Sequence, residues 1–293
     1  MRITVFTPAY NRAYTIEKLY CSLRRQSFKD FEWIVIDDGS TDGTEKLFER
    51  ILEEENFFPI QYYQIPNGGK HRAINRGVRI AKGNLFFIVD SDDYLTDDAL
   101  ELVDRIEKSI PDDEKSEFAG VCGLRGKTVD SIIGSTFEGN TLDITSLERE
   151  ENGIFGDKAE VFYTEVLKKY PFPEFEGENF LTEAVVWMKI AEDGLKLRYF
   201  NEIIYIGEYL PDGLSANIRE MIKRNPNGYA LYISQLVRYG KLNGFAKWQS
   251  YYDYYYSNRD TKSFREMAER LNINRFVLWF RLFGMKIFYR IYS

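Results

Sequence analysis

The sequence predicts an α/β fold, in which a mostly parallel, doubly wound sheet is flanked by helices. Two observations lead to this prediction. Through the first 125 residues, short apolar runs alternate with segments whose apolar residues recur every three or four positions. The runs are typical of buried strands, and the recurring spacing is typical of amphipathic helices. Strands that alternate with helices favour parallel pairing through crossover helices.

The predicted elements follow one another without long gaps. Strands are predicted over residues 3–7, 31–36, 60–64, 85–89 and 118–124. Helices between them are indicated by apolar residues at Ile16, Leu19, Tyr20 and Leu23, at Leu47, Phe48, Ile51 and Leu52, at Ala73, Ile74, Gly77 and Ala81, and over residues 97–110. Since residues 85–89 are apolar throughout, we expect that strand in the centre of the sheet with both faces covered.

Beyond residue 125 the periodic pattern weakens. Residues 125–160 are polar and rich in Gly, Ser and Thr, which indicates irregular structure. A loop leading into a helix is predicted over residues 172–194, and a last strand over residues 203–206. The chain then becomes helical and aromatic. We predict one α/β domain over residues 1–215 and a helical C-terminal extension over residues 216–293.

Composition excludes some classes of function. The 293 residues carry a net charge of −7, so the chain has no general attraction for nucleic acid. Cys21 and Cys122 both fall in apolar, regular segments, and we expect two buried free thiols in a reducing compartment. The chain opens directly on a strand pattern and has no apolar run of 18 residues. We therefore expect a cytoplasmic protein.

Polar residues gather where four of the predicted strands end. The loops concerned span residues 7–11, 37–42, 67–70 and 90–93. In a parallel sheet the carboxyl ends of the strands share one edge, and ligands bind there. Four polar loops on that edge predict a binding site.

The most distinctive of these loops is the acidic run Asp90-Ser91-Asp92-Asp93. Close carboxylates repel one another and raise each other's pKa, and a bound cation removes that cost. Carboxylate oxygens suit Mg²⁺ or Mn²⁺, whose remaining ligands are typically water and substrate phosphates. The run therefore predicts a metal site for a diphosphate. The alternative is an acidic first turn of a helix, which is the interpretation we favour for Asp97 and Asp98.

Further motifs accompany the acidic run in a fixed order. They are Thr7-Pro8-Ala9-Tyr10-Asn11, Val35-Ile36-Asp37-Asp38-Gly39-Ser40-Thr41-Asp42, Asn67-Gly68-Gly69-Lys70 and Asn75-Arg76-Gly77. Together with the acidic run, this set resembles the inverting family 2 glycosyltransferases, which have the GT-A fold. The resemblance covers residues 1–125 strongly and residues 160–210 moderately.

The resemblance implies that these loops bind a nucleotide-sugar donor. Thr7, Pro8, Tyr10 and Asn11 would form the first nucleotide loop, with Tyr10 stacking on the base. The alternative for Tyr10 is a core aromatic. Asp38 would accept the uracil N3–H, because a carboxylate only accepts hydrogen bonds, and this implies a UDP-sugar.

The resemblance also assigns the diphosphate side of the site. Lys70 would reach the base or the diphosphate as a point charge, although a solvated lysine is its alternative. Asp90 and Ser91 would contact the donor, with Asp90 binding the ribose or a metal-bound water. Asp92 would be the main ligand of Mn²⁺ or Mg²⁺, with Asp90 beside it and Asp93 as the competing assignment.

Inversion requires a general base that takes the proton of the acceptor hydroxyl. In the family this base usually lies in a Glu-Asp pair before a helix, and here the pair reads Glu183-Ala184. Three interpretations follow. Glu183 is the base, or Glu178 or Glu176 in the preceding loop takes its place, or the protein is a weak or inactive relative. We favour Glu183.

The implied function is inverting transfer of a sugar from a UDP-sugar to a glycan or lipid-linked acceptor in cell-surface polysaccharide synthesis. The alternative is a catalytically weak protein that binds nucleotide sugars, which Ala184 favours. An NAD(P) oxidoreductase would carry G-x-G-x-x-G after the first strand, and this chain does not. A nucleotidyltransferase would bring a Gly-rich basic loop at its N-terminus, which is also missing.

The end of the helical extension has an unusual charge pattern. From Asn272 onward its charged residues are Arg275, Arg281, Lys286 and Arg290, set among aromatic and aliphatic residues. Basic amphipathic helices with aromatic residues suit a membrane surface. We expect either peripheral contact with the inner membrane face or packing of the helix on the catalytic domain or on a second copy of the chain.

Overall fold

The computed structural model describes residues 1–207 and 218–292, which fall into two compact units. The first unit takes in Met1–Phe172 and resumes at Val186, and the second takes in Pro173–Val185 and the C-terminal helices. Residues 173–185, which the sequence placed in the α/β domain, group with those helices instead. The predicted boundary at residue 215 lies outside the described residues.

The elements of the first unit follow the predicted alternation. Its strands are β1 (Ile3–Ala9), β2 (Phe31–Asp37), β3 (Ile60–Gln64), β4 (Leu85–Ile88), β5 (Tyr94–Leu95), β6 (Phe118–Thr128), β7 (Ser131–Ile132), β8 (Thr141–Ile144), β9 (Lys158–Tyr163) and β10 (Lys196–Ile206). Its helices are α1 (Ile16–Arg25), α2 (Thr44–Glu53), α3 (Lys70–Ile80), α4 (Ala99–Lys108), α5 (Thr164–Lys169) and α6 (Ala184–Glu192), where the boundary between the units falls. Each strand and helix predicted before residue 125 is present.

The strands join one sheet in the order β3-β2-β1-β4-β9-β6-β10-β5, with β7 beside β6 and β8 beside β10. β3, β2, β1 and β4 are parallel, which confirms the predicted α/β fold. β9 is antiparallel to both β4 and β6, whereas β6 and β10 are parallel. The parallel arrangement therefore holds for the four strands that carry the predicted loops, and the rest of the sheet is mixed.

Sequence analysis missed strand β9, together with the short strand β5 and helix α5, although β9 lies in the middle of the sheet. Lys158 and Glu160 interrupt its apolar residues, so its sequence does not resemble a buried strand. The structure satisfies both charges. The Lys158 ammonium donates to the carbonyl of Phe155 at 2.6 Å, and Glu160 pairs with Arg149 at 3.4 Å. A buried polar group is tolerated in a strand when such partners are present.

The core of the first unit lies between the sheet and its helices. Every residue of β2 is buried, and Trp33 from this strand stacks on Tyr20 of α1 at a ring distance of 6.0 Å. Phe48 of α2 packs against the same indole at 5.4 Å. Burying an aromatic side chain of this size contributes about 1.5–3 kcal/mol. The apolar strand β4 occupies the central position that its sequence predicts.

Both cysteines are free thiols, as predicted, but only Cys122 is buried. Cys21 is exposed on α1, which corrects the expectation of two buried thiols. The apolar stripe of that helix includes its neighbour Tyr20, and successive residues on a helix point about 100° apart. An apolar segment therefore does not bury each of its members.

Helix α3 lies close against the sheet because Gly77 has no side chain. A Cβ at this position would overlap the ring of Phe6 on β1. The Phe6 ring is itself fully buried and stacks on Phe86 of β4 at 5.1 Å. This close approach sets the position of α3, whose first residue is Lys70.

The second unit is helical, as predicted for the C-terminal extension. Its elements are α7 (Ile218–Arg224), α8 (Pro226–Arg238), α9 (Gly244–Asn258), α10 (Phe264–Arg270) and α11 (Arg275–Tyr292). They share a core of aliphatic and aromatic residues that includes Ile233, Tyr254 and Leu278. Of the helices within 1–207 and 218–292, none has the length and apolar character needed to cross a membrane.

We predict that Gly77→Ala lowers the free energy of unfolding by about 1–3 kcal/mol, because the added methyl group overpacks the Phe6 ring. Gly284→Ala is the matched control. Gly284 also lies in a helix, and a Cβ there meets open space. It should be neutral or stabilising by up to about 1 kcal/mol through helix propensity. Urea unfolding of both variants measures the difference, and equal effects would contradict the close packing of α3.

Candidate functional site

The acidic run forms a tight turn directly after β4. Val89 is fully buried, and the chain then reaches Asp90, Asp92 and Asp93. The three carboxylates differ in exposure. The side chains of Asp90 and Asp92 are 28% and 25% exposed, whereas that of Asp93 is only 6% exposed. The turn therefore presents two carboxylates and buries the third.

Asp93 is held by a buried clamp formed with Arg125 and Tyr205. The Arg125 guanidinium donates to Asp93 Oδ2 at 2.6 Å, and the Tyr205 hydroxyl donates to the same oxygen at 2.7 Å. That hydroxyl also accepts the backbone N–H of Asp90 at 2.9 Å. The guanidinium lies 4.0 Å from the centre of the Tyr205 ring. The clamp thus fixes both ends of the acidic turn.

Burial raises the pKa of Asp93 to about 6, although the Arg125 charge and the Tyr205 hydrogen bond oppose the rise. Burial also raises the pKa of Asp92, and the nearby charge of Asp90 adds to the rise. Asp90 differs. Burial works to raise its pKa, but Lys70 and Arg125 outweigh that effect and leave the pKa below its ordinary value. Asp92 is thus the exposed carboxylate whose charge the surroundings stabilise least.

Two cations from other loops reach the exposed carboxylates. Lys70 Nζ, at the start of α3, lies 2.6 Å from Asp90 Oδ1. Arg12 Nε, from the loop after β1, lies 3.9 Å from Asp92 Oδ2. The longer distance leaves Asp92 the more weakly neutralised of the two.

A divalent cation fits the pair Asp90 and Asp92. In the described parts of the chain, no group of three or more Asp, Glu, His or Cys side chains is arranged to hold a metal by itself. Mg²⁺ typically takes one or two protein carboxylates and fills its other positions with water and phosphate oxygens. Asp92 pairs with Arg12 only at 3.9 Å, so a bound cation would add to the neutralisation of this carboxylate. Asp93 does not fit, because it is only 6% exposed and its Oδ2 already accepts hydrogen bonds from Arg125 and Tyr205.

Asp38 organises the loop before α3. Its Oδ1 accepts the N–H of Gly68 at 2.8 Å, and its Oδ2 accepts the N–H of Gly69 at 2.7 Å. The side-chain amide of Asn67 donates to the same Oδ2 at 3.2 Å. Burial raises the pKa of Asp38, while the two backbone N–H groups oppose the rise. Asp38 is 5% exposed, and its carboxylate holds the loop that leads to Lys70.

The loop after β1 is tied to the loop after β2 through Asn11. Its side-chain oxygen accepts the N–H of Thr41 at 2.8 Å, and its own N–H donates to Ser40 Oγ at 2.8 Å. Asn11 has a φ of 52°, in the left-handed region that asparagine tolerates better than most residues. Tyr10 next to it is 49% exposed, which excludes the core alternative and leaves its ring free to stack.

Two predicted contact residues, Thr7 and Ser91, are buried. Thr7 is fully buried, and its hydroxyl accepts the indole N–H of Trp33 at 3.0 Å. The pleat of β1 points this side chain into the core, and the place of Thr7 in the nucleotide loop stays a prediction. Ser91 is only 5% exposed. Pro8 is half-buried at the end of the strand.

The family model for "Glycosyl transferase family 2" matches residues 4–121, which carry all four loops. These residues form a family 2 glycosyltransferase domain. The chain is 27% identical over 200 residues to GalNAc(5)-diNAcBac-PP-undecaprenol beta-1,3-glucosyltransferase of Campylobacter jejuni. This match covers 66% of this chain and 60% of that protein. It is 26% identical over 211 residues to Glycosyltransferase GlyA of Streptococcus pneumoniae, covering 70% of this chain and 28% of that protein. The chain thus spans less than two thirds of either relative.

Solved structures share the fold of the family 2 domain. TarS of S. aureus in complex with UDP-GlcNAc superposes with a TM-score of 0.60 at 20% identity, covering 89% of this chain and 74% of that chain. The mannosyltransferase PcManGT of Pyrobaculum calidifontis, in complex with GDP-Man and Mn²⁺, gives a TM-score of 0.55 at 18% identity, covering 89% and 76%. The GT-A arrangement predicted from the sequence is confirmed.

Sequence reasoning missed Arg125 and Tyr205, the partners of Asp93 in the family 2 site. Arg125 follows the apolar run of β6, just as the acidic residues follow the apolar run of β4. Applying the strand-end rule to β6 as well would have singled it out. Tyr205 gave no signal, because an aromatic residue in an apolar strand is most simply a core residue. Only the pairing of β6 with β10 brings the two together.

The acids considered for the base all lie in the second unit, and one of them has another role. Glu178 is buried and accepts the backbone N–H of Asn227 at 2.7 Å and that of Gly228 at 2.8 Å. These donors belong to the first turn of α8, which has no earlier carbonyls to pair them, so Glu178 stabilises the start of that helix. This corrects its place among the candidates. Glu183 is half-buried just before α6, and Glu176 is exposed.

We predict that Tyr205→Phe lowers the free energy of unfolding by about 1–3 kcal/mol, because the Asp90 N–H and the buried Asp93 each lose a partner. Tyr199→Phe is the matched control. Tyr199 lies on the same strand, is equally buried at 2% exposure, and its hydroxyl has no hydrogen-bond partner. That variant should be neutral or slightly stabilising. Chemical unfolding compares them, and two equal losses would argue against the clamp.

Proposed function

We propose that this chain is an inverting glycosyltransferase that moves a sugar from a UDP-sugar to a glycan or lipid-linked acceptor in cell-surface polysaccharide synthesis. The observation that carries the proposal is the acidic turn of the family 2 domain. It presents Asp90 and Asp92 at the carboxyl edge of parallel strands, while the clamp on Asp93 holds the turn in place. Ligands of α/β sheets bind at this edge.

The named relatives support the donor and acceptor classes. The Campylobacter jejuni relative is a glucosyltransferase whose name gives an undecaprenol diphosphate-linked glycan as its acceptor. The TarS structure holds UDP-GlcNAc, and the PcManGT structure holds GDP-Man with Mn²⁺. By analogy we infer a nucleotide-sugar donor, a divalent ion and a glycan or lipid-linked acceptor for this chain. The cytoplasmic location predicted from the sequence stays a prediction.

The donor side of the mechanism follows from residues of the first unit. Asp90 and Asp92 would hold Mn²⁺ or Mg²⁺, and the ion supplies neutralisation of the departing diphosphate. Lys70 stands beside Asp90 and adds a second positive charge for the same phosphates. The exposed ring of Tyr10 stacks on the nucleobase. Asp38 acts on the donor through the Gly68 and Gly69 backbone, and its contact with the uracil remains part of the proposal.

For the acceptor side we propose Glu183 as the general base. It occupies the first position of the family's acidic pair, it immediately precedes α6, and Glu178 is committed to α8. Glu176 is the remaining alternative. A catalytically weak protein that binds nucleotide sugars is the second candidate function, favoured by one observation, the alanine at position 184.

We predict that Asp92→Asn lowers metal-dependent release of UDP from UDP-sugars by about 100-fold or more, because it removes a ligand and a charge that neutralise the ion. Asp113→Asn is the control, since Asp113 is an exposed acid in a loop. UDP release is measured across a panel of UDP-sugars with and without Mn²⁺. A chain that shows no metal-dependent UDP binding and no turnover with any UDP-sugar would refute the proposed function.

We predict that Glu183→Gln leaves UDP binding unchanged and slows transfer by about 10²- to 10⁴-fold, since the amide cannot take the acceptor proton. Glu176→Gln is the paired variant and should retain activity. Calorimetric UDP titration and turnover are measured on both proteins. Full activity in Glu183→Gln combined with loss in Glu176→Gln would transfer the role to Glu176.

A further inference from the structure

Helix α11 buries one side in the second unit. Leu278, Leu282 and Met285 are 0%, 8% and 7% exposed. Leu278 and Leu282 belong to the same core as Tyr254 of α9 and Met267 of α10. At about 100° per residue, the three α11 residues fall within an arc of about 60° on the helix. This stripe accounts for the attachment of α11 to its own unit.

The opposite side of α11 is also apolar, and it is exposed. We define the aromatic face as Phe276, Val277, Trp279, Phe280 and Phe283, which are 70%, 46%, 59%, 67% and 53% exposed. At about 100° per residue they span an arc of about 160°, opposite the buried stripe. Trp279 and Phe283 stack on each other at 5.7 Å. Soluble proteins rarely leave so many large apolar side chains together in water, so this face has a partner.

Positive charges border the aromatic face on both edges. Arg275 and Lys286 follow Trp279 around the helix on one edge, and Arg281 follows Val277 on the other. All three are exposed. The chain carries no Asp or Glu after Glu269, although its net charge is −7. The acidic character of the protein is thus absent from this helix, and the partner of the face should carry negative charge.

We propose that the aromatic face of α11 docks on the surface of an anionic lipid bilayer, with the helix lying in the plane of the interface. Aromatic side chains enter the boundary between head groups and acyl chains, and bordering Arg and Lys residues reach lipid phosphates with their charged ends. Each such basic residue adds to binding when the surface is anionic. The helix lies on the bilayer and does not cross it, since no helix among the described residues is long and apolar enough to span a membrane.

A second copy of this chain fits the face less well. Pairing two α11 helices through their aromatic faces would bring Arg275, Arg281 and Lys286 against the same cations of the other copy. The helix has no carboxylate to compensate them. Like charges brought together at an interface are unfavourable, whereas anionic lipid removes that cost. The inference does not depend on the transferase activity, since it uses no residue of the first unit.

The test measures binding of the full chain to vesicles by co-sedimentation. We expect binding to phosphatidylcholine vesicles that contain phosphatidylglycerol, little binding to phosphatidylcholine alone, and weakening by salt. Phe276→Ser/Phe280→Ser should weaken binding by at least about tenfold, because two aromatic side chains no longer enter the bilayer. Val129→Ser/Phe155→Ser is the matched control. Those two residues are 62% and 51% exposed in the first unit, and the control should bind as the parent does.

Charge is tested separately. Arg275→Gln/Lys286→Gln should weaken binding to the anionic vesicles by about 10- to 30-fold, given the contribution of each basic residue near such a surface. Lys46→Gln/Lys127→Gln removes the same charge from exposed positions of the first unit and should have little effect. Quenching of Trp279 fluorescence by lipids brominated on the acyl chains reports insertion directly, and Trp279→Phe should abolish the quenched component.

Several outcomes would overturn the proposal. One is binding that Phe276→Ser/Phe280→Ser leaves intact. Another is equal binding to neutral and anionic vesicles. A third is a chain that does not bind vesicles and sediments as a dimer, while Phe276→Ser/Phe280→Ser sediments as a monomer. That result would assign the face to a second copy. Circular dichroism and UDP binding of each variant show that the fold and the donor site survive, so failure here is distinguishable from failure of the proposed function.

Discussion

The burial of the Asp93 carboxylate is the constraint on which the acidic turn depends. A carboxylate that is 6% exposed is costly unless charged and hydrogen-bonded partners surround it, and here Arg125 and Tyr205 supply them. Because the Tyr205 hydroxyl also binds the N–H of Asp90, the same contact shapes the turn that carries the exposed acids. The partners come from β6 and β10. The mixed half of the sheet therefore holds in place a turn that belongs to the parallel half.

The other loops are joined by polar contacts of the same kind. Asp38 binds the backbone before α3, Asn11 binds the loop after β2, and Lys70 binds Asp90. Each contact connects loops that are distant in the sequence and adjacent along the sheet edge. A site joined in this way loses little conformational entropy when a ligand binds. Exposure is left to a few groups, chiefly Tyr10 and the carboxylates of Asp90 and Asp92.

The second unit shows how one element can serve two surfaces. Helix α11 uses Leu278 and Leu282 to join its own core, and its large aromatic residues remain in water. An ordinary surface helix has one apolar stripe and one polar side. Two apolar stripes separated by cations indicate that the helix packs against two apolar surfaces. The core of the second unit covers the stripe with Leu278 and Leu282 and leaves the aromatic face exposed. The segment around Glu178 is fixed differently, since its carboxylate binds the first turn of α8.

The sequence by itself determined the alternation of elements, the central place of β4, the loops at the sheet edge and the family. These features depend on local periodicity and on the order of motifs, which are present in the sequence before any tertiary contact forms.

Tertiary structure decided which polar residues are available. Thr7 and Asp38 belong to the same set of motifs as Tyr10, yet the Thr7 side chain lies inside the core and the Asp38 carboxylate is bound to backbone N–H groups. The sequence left Glu178 open as an alternative to Glu183, and only the structure shows that Glu178 binds the first turn of α8. Strand β9 was hidden because its sequence carries two charges, whose partners Phe155 and Arg149 lie outside the strand. The physical reason is the same in each case: a polar side chain carries the same chemistry wherever it lies, and only the groups packed around it determine whether that chemistry stabilises the fold or faces a ligand.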